Sequence, residues 1–312
     1  MCDTSQSWSK SALASSGYPA PPGELVGLAQ LSAEELASLA RLEAACVAAD
    51  GGRLKLEWPS LRARAAGVTS DFVWTDGGEV VGFVGLYQWR SIDLEMCGMV
   101  HPRWRGRGVA SALYEAAAAE VAARAPQRAL LIVDRRSEAG RRFATKNGGE
   151  LEHSEHRMQQ RREPEVRAGA PEVEVRQAER SDAPFIATCL AEAFEEEPRP
   201  FDVSDDLAAY RYVQDSRVIV PVGSSEPVGV MRVERDGGSA AIYGFAVRPS
   251  LQGRGFGRAA LAAVTRELHR SGVGTISLEV LSTNDSALHL YLTSGFDAMG
   301  TEDYYSMPIG RP

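Results

Sequence analysis

Cysteine and histidine are scarce in this chain. Four cysteines (Cys2, Cys46, Cys97 and Cys189) and five histidines are spread over 312 residues. The cysteine spacing suits neither a disulfide framework nor a zinc site. His153 and His156 stand three apart with no third ligand near them in sequence, so no metal centre is expected. No apolar run reaches transmembrane length, and the first residues lack a basic stretch followed by an apolar one. Reduced thiols and no membrane partner predict a cytoplasmic protein. Positive charge is not in excess either: 34 Lys and Arg face 42 Asp and Glu, a net charge of −8. That balance disfavours nucleic acid as a partner. What remains is an ordinary soluble composition, 44% hydrophobic and 24% charged, in a length that predicts about two domains.

What the chain does have is a glycine-rich turn, twice. Val247-Arg248-Pro249-Ser250-Leu251-Gln252-Gly253-Arg254-Gly255-Phe256-Gly257-Arg258 ends an apolar strand pattern and opens a helical one. Glycine lets the backbone turn tightly against a ligand. A helix starting there directs unpaired N–H groups and a positive dipole end at the same spot, which suits a diphosphate. Gly253 lies 147 residues after Gly106, and Gly295 lies 147 after Gly148. The same offset carries Val100 to Val247, Pro102 to Pro249, Gly108 to Gly255 and Val133 to Val280. A constant offset over this span predicts one fold, present twice.

The periodicity fills in each copy. In the first, Ser32 and Glu35 form a capping box for a helix ending at Asp50-Gly51-Gly52. Strands follow at 72–74, 80–86 and 92–100, with a hairpin at Asp76-Gly77-Gly78. A helix over 109–123, a strand over 129–133 and a helix over 137–146 complete the copy. The second copy repeats this order from Val173 to Met307.

Leu278-Glu279-Val280 is followed by Asn284, Ala287, Leu290-Tyr291 and Gly295-Phe296. With the glycine turn, this resembles the GNAT acyl-CoA-dependent N-acyltransferases. Their signature Gln/Arg-x-x-Gly-x-Gly/Ala is matched by residues 252–257 and again by Arg105-Gly106-Arg107-Gly108-Val109-Ala110. The resemblance implies an α/β (α+β) chain of two GNAT domains. Each is a twisted mixed, mostly antiparallel sheet with a splayed central strand pair flanked by helices. The expected divisions are a flexible tail over 1–23, an N-terminal domain over 24–162, a linker over 163–172 and a C-terminal domain over 173–312.

The resemblance also implies acetyl-CoA as cofactor and an amine as acceptor, either a small molecule or a peptide N-terminus, in a monomer or homodimer. In the second half, Gln252, Gly253, Arg254, Gly255, Phe256, Gly257 and Arg258 are expected around the diphosphate. Backbone groups of Phe245, Ala246 and Val247 are expected along the pantetheine arm, and Asn284 near the thioester. Helix capping is the alternative for Asn284. Tyr291 stands where many family members place the tyrosine that protonates the departing thiolate. Glu279, twelve residues earlier, matches the general-base Glu of the ribosomal-protein N-terminal alanine acetyltransferases. Glu195, Glu196 and Glu197, in the connection that roofs the acceptor site of the family, and Tyr304, on the closing strand, are candidate acceptor contacts.

The first half keeps Val100 and the loop Arg105, Gly106, Arg107, Gly108, Val109 and Ala110, all expected at coenzyme A. The offset, however, puts Ile132 in place of Glu279, Ser137 in place of Asn284 and Ala144 in place of Tyr291. This half is therefore expected to be catalytically degenerate. A chemistry through Glu95, placed like the base of the histone-acetyltransferase branch, is its alternative. For the whole chain, two alternatives to amine acetylation stand: a mycothiol-synthase-like acetyltransferase and a non-catalytic coenzyme A-binding scaffold.

Overall fold

The computed structural model describes residues 6–7, 22–88, 92–164, 169–194, 213 and 215–309. The first half contains strands β1 (Gln6–Ser7) and β2 (Glu24–Leu28), helices α1 (Ala33–Asp50) and α2 (Trp58–Arg62), and strands β3 (Asp71–Asp76), β4 (Glu79–Tyr87) and β5 (Asp93–Val100). Helix α3 (Val109–Arg124), strand β6 (Arg128–Asp134), helix α4 (Glu138–Lys146) and strand β7 (Glu150–Gln160) follow. The second half runs β8 (Val173–Gln177), α5 (Ala183–Phe194), β9 (Ser216–Pro221), β10 (Gly229–Asp236) and β11 (Ser239–Val247). It ends with α6 (Phe256–Arg270), β12 (Thr275–Leu281), α7 (Asp285–Leu292) and β13 (Phe296–Met307).

Local chemistry accounts for most of these boundaries. Ser32 accepts from the Glu35 N–H while the Glu35 carboxylate accepts from the Ser32 N–H, the reciprocal cap that starts α1. Gly51, at φ 71°, ends it in the left-handed conformation glycine tolerates. In α3 the positions Val109, Leu113, Ala117 and Val121 recur every four residues and are all buried. In α6, Leu261, Val264 and Leu268 make the equivalent stripe. Four elements escaped the sequence patterns, the strands β1 and β2 among them. Helix α2 is too short to show a period. Strand β7 reads as polar (Glu-Leu-Glu-His-Ser-Glu-His-Arg-Met-Gln-Gln), and only Ser154, Met158 and Gln160 along it are buried.

Two compact units emerge. The first comprises residues 1–154 and 300–312, the second residues 155–299. This differs from the expected linear division at 163–172. The chain's last strand closes the first unit: residues 302–307 of β13 run antiparallel to β6, from Glu302 opposite Asp134 to Met307 opposite Ala129. Tyr305 and Met307 are buried there with Leu131 and Val133. Correspondingly, residues 155–159 of β7 pair antiparallel with β12 in the second unit. Each half ends on a long strand, and only the pairing says which sheet that strand joins. Within the span expected as a tail, Gln6 and Ser7 pair with Gly27 and Val26 of β2.

In the first unit β2, β3, β4 and β5 pair in antiparallel succession, and β5 pairs parallel with β6. One core lies between this sheet and helices α3 and α4. A second, built on Leu39, Leu42 and Phe83, lies under α1. In the second unit β8, β9, β10 and β11 are antiparallel, and β11 pairs parallel with β12. Helices α6 and α7 cover one face and α5 the other. Among the described residues no helix is long and apolar enough to cross a membrane.

Candidate active site

The two glycine turns are built alike. In the first, Gly106 and Gly108 sit at φ 73° and 86° and α3 begins at once after them; in the second, Gly253 and Gly255 sit at 74° and 89° ahead of α6. Only glycine takes these angles without strain. The side chain opening each signature braces the turn. Arg105 donates through Nε to the Val100 carbonyl at 3.0 Å, and Gln252 through Nε2 to the Val247 carbonyl at 3.0 Å. The same bond thus recurs 147 residues on. Arg105 is further tied to Asp50 at the end of α1 by two bonds of 2.7 and 3.0 Å. Both side chains are thus engaged in holding the turn.

Other loop residues are placed as follows. Arg107 lies over the Trp104 ring at 5.3 Å. Arg258 donates to the Thr293 carbonyl at 3.0 Å and Oγ1 at 2.6 Å, which locks α6 to the end of α7. Arg254 is exposed at the turn. Val109 is buried in the core, leaving its backbone to face the loop. Gly257 and Ala110 occupy equivalent places. A Cβ on Gly257 would lie 3.5 Å from Leu290 and 3.7 Å from Phe245, ordinary contact distances, so the alanine at 110 is a fitting counterpart.

Each turn stands where two parallel strands part. Pairing of β5 with β6 stops at Met96–Leu131, and pairing of β11 with β12 stops at Ile242–Leu278. Among the described residues the pairing across the gap ends there, ahead of the edge residues 97–100 and 244–247. Such an edge can hold an extended amide-bearing arm as an added strand. The second unit has one feature more. Opposite β10 the register jumps from Val230–Ala246 to Arg232–Tyr243, so Gly244 and Phe245 face Met231 alone. This is a β-bulge, with Gly244 at φ 52°. It turns backbone groups out of the ladder where the strands part. The β4–β5 ladder runs without a break from Gly82–Val100 to Tyr87–Glu95.

Of the candidate catalytic side chains of the second half, Tyr291 stands beside this bulge. Tyr291 on α7 is 7% exposed, with its ring 6.4 Å from Phe245 and 6.1 Å from Phe296. Burial pushes its phenol up to about 12. Glu279 is half-buried on β12, one position beyond the last pair with β11. Asn284 caps α7, its Oδ1 accepting from the Ala287 N–H at 3.0 Å. Ser137 caps α4 in the same way through Gly140, so capping is what these two positions share. Ala246 and Val247 are buried along the edge of β11. Glu195, Glu196 and Glu197 lie outside the described residues.

Tyr304 corrects an expectation. It belongs to the first unit, not to the acceptor side of the second. It is 2% exposed, stacks on His153 at 4.3 Å between centroids, and accepts from Lys55 Nζ at 2.5 Å. The cause is the crossing of β13 into the first sheet, where Tyr304 faces Ile132.

The first unit also contains a cavity of about 600 Å³. It runs from Gly106, Gly108 and Ser111 at the turn, past the parted strands, to Lys55, Asp134 and Glu302. Tyr114 and Cys97 line it, and Glu95 does not. Burial pushes the Cys97 thiol up to about 12, so it is neutral there. Sequence reasoning missed Lys55, Tyr114 and Glu302. Only the 147-residue offset marks Tyr114, by placing it opposite Leu261; the other two carry no motif.

Comparison with known proteins accords with this geometry. A family model described as the acetyltransferase (GNAT) family matches residues 46–148 and 181–296. The [ribosomal protein bS18]-alanine N-acetyltransferase of Escherichia coli K12 is 40% identical over 73 residues, 23% of this chain and 49% of that protein. The chain thus spans about half the length of that relative. A mycothiol acetyltransferase of Streptomyces coelicolor is 26% identical over 92% of this chain and 96% of its own. Among solved structures, a GCN5-related N-acetyltransferase from Sphaerobacter thermophilus superposes with a TM-score of 0.74 at 22% identity, covering 91% of this chain and 96% of that one. A tandem GNAT protein from the clavulanic acid biosynthesis pathway gives 0.68 at 16%, covering 93% and 99%.

Proposed function

The chain belongs to the acetyltransferase (GNAT) family, and from that premise we propose that its second unit transfers an acetyl group from acetyl-CoA to a primary amine. The observation that carries this reading is the meeting, in one place, of the glycine turn, the bulged edge of β11 and the buried phenol of Tyr291. The residues present fit the cofactor. The turn before α6 offers backbone N–H groups to a diphosphate, and the edge of β11 over residues 244–247, past the last pair with β12, offers a ladder to the amide arm. Acetyl-CoA supplies an acetyl group on a thioester, with a thiolate as leaving group.

The chain's own groups handle the protons. Backbone turned out by the Gly244–Phe245 bulge provides donors for the carbonyl oxygen as it gains charge. Tyr291, wholly protonated at neutral pH, holds a proton for the thiolate. The apolar surround that raises the phenol raises the proton affinity of a thiolate beside it for the same reason. Glu279, at the mouth of the parted strands, takes the proton that an ammonium must lose before nitrogen can attack.

Two acceptor classes are favoured by separate likenesses. The 73-residue match to an alanine N-acetyltransferase points to a peptide N-terminus. The near full-length match to a mycothiol acetyltransferase points to the amine of a small thiol-bearing molecule. Free-thiol release from acetyl-CoA, measured over a panel of both kinds, decides between them. Tyr291→Phe is expected to lose about a hundredfold or more in kcat with coenzyme A affinity nearly unchanged. Full activity in that variant sinks the assignment of the acid. Tight cofactor binding without thiol release on any amine leaves the scaffold reading.

A further inference from the structure

We propose that the first unit holds a second acyl-transfer site, with Glu302 of β13 as its general base and Tyr114 of α3 as its proton donor. By sequence offset this half lacks both groups, since Ile132 and Ala144 stand where Glu279 and Tyr291 do. The fold restores each from a different element.

The phenol comes from the neighbouring helix. In the second unit Leu261 of α6 and Tyr291 of α7 share one core cluster. Their counterparts, Tyr114 of α3 and Ala144 of α4, share the equivalent cluster of the first. The tyrosine stands on the first of the two helices here and on the second there, with Ala144 in its other place here and Leu261 there, so each helix pair keeps one phenol. Tyr114 lines the 600 Å³ cavity and meets Phe143, the residue before Ala144, edge-on at 5.7 Å.

The carboxylate comes from the end of the chain. Residues directly opposed in an antiparallel pair lie on the same face of the sheet. Tyr304 opposes Ile132 and Glu302 opposes Asp134. Glu302 is therefore on the face of Ile132, one strand over and two residues along. It is 2% exposed and lines the cavity. The wall that β6 leaves without a carboxylate at position 132 receives one from β13. The glycine turn, the parted strands, a phenol and a carboxylate thus border one space, and an ammonium is the acceptor form such a carboxylate attracts.

The chemistry balances. The ammonium gives one proton to Glu302, and the freed nitrogen attacks the thioester carbon. The C–N bond forms and the C–S bond breaks. The departing thiolate takes the Tyr114 proton and leaves as free thiol. The new amide nitrogen sheds its extra proton to restore the phenol, and Glu302 returns its own to solvent, for a net release of one proton.

The inference rests on acetyl-CoA binding by this fold and not on chemistry in the second unit. Its test is the full chain carrying Tyr291→Phe and Glu279→Gln, assayed with acetyl-CoA and an aliphatic monoamine, a diamine, an amino sugar and an alanine-initiated peptide. Amine-dependent thiol release is expected to persist, and to fall by about a hundredfold when Glu302→Gln or Tyr114→Phe is added. A readout without turnover is calorimetric titration with coenzyme A. Two sites per chain are expected in the wild type and in Tyr114→Phe, which also shows that the variant is folded, and one site in Ala110→Trp at the mouth of the cavity. If the double variant releases no thiol while the wild type does, or its residual rate ignores both added substitutions, or Ala110→Trp keeps two sites, the proposal is overturned. If wild-type turnover instead survives the double variant whole and disappears with Glu302→Gln, the second-unit reading fails and this one stands.

Discussion

Glu279 and Tyr291 differ in their surroundings. The phenol is buried near Phe245 and Phe296, and that burial pushes it up to about 12; Glu279, the base of the proposed reading, is half-buried on β12, one position beyond the last pair with β11. Glu279→Gln is therefore expected to lose most rate at low pH, where free amine is scarcest, and to recover as pH rises. A pH–rate profile parallel to that of the wild type would count against the base role. The same balance of burial and partner sets the sign of two structural carboxylates. The Arg176 guanidinium, 2.7 Å from Asp182, holds that carboxyl below its usual value. Asp71 has an equally close partner in Arg64, yet its complete burial outweighs the pair and raises it. A depressed carboxyl contributes stability above its unfolded value and loses it as pH falls through the folded one; a raised carboxyl does the reverse. Urea midpoints between about pH 3 and 6 should then fall less steeply with acid in Asp182→Asn, and more steeply in Asp71→Asn, than in the wild type. Equal slopes in the two variants would refute the opposed signs.

At the level of elements, the repeat is carried by bonds as well as letters. Arg105 and Gln252 brace the same carbonyl in the two copies, although one is charged and the other is not. Removing one such brace forfeits about 0.5–1.5 kcal/mol. Gln252→Ala should accordingly raise the KM for acetyl-CoA about threefold to tenfold with kcat little changed. An unchanged KM would mean that the turn holds its shape without the side chain. This prediction needs the structure, because the signature letter alone reads as a ligand contact. The glycine turns, the cap of α1 and the buried stripe of α3 were legible because each has local chemistry: positive φ at Gly253 and Gly255, the Ser32–Glu35 box, four-residue spacing in α3. The bulge at Gly244–Phe245 was not, since a glycine in a strand has several uses and only the register against Met231 reveals which applies. Tyr114 and Ala144 were opaque for a related reason. Each position read alone looks like a packed or a missing residue, and the exchange shows only when α3 and α4 are seen to share one core.

For the whole molecule, the decisive fact is that the last strand of the chain completes the first unit. A linear reading assigned Tyr304 and Tyr305 to the second half because they follow it. Register decides otherwise: alternate residues of 302–307 face either Ile132 and Asp134 or the core of Leu131 and Val133. The consequence is measurable by where a C-terminal lesion is felt. Tyr305 is 6% exposed and packs in the cluster that holds α3, β5 and β6. Truncating a buried aromatic to alanine costs about 3–5 kcal/mol. In Tyr305→Ala, amide exchange should therefore quicken across Ala129–Val133 and the core face of α3, far away in sequence. It should leave Ile276–Val280 near its wild-type rate, although those residues lie much closer along the chain. The reverse pattern, protection lost in β12 and kept in β6, would return the closing strand to the second unit. It would also withdraw Glu302 from the first cavity, so this single exchange map bears on the architecture and on the second site together.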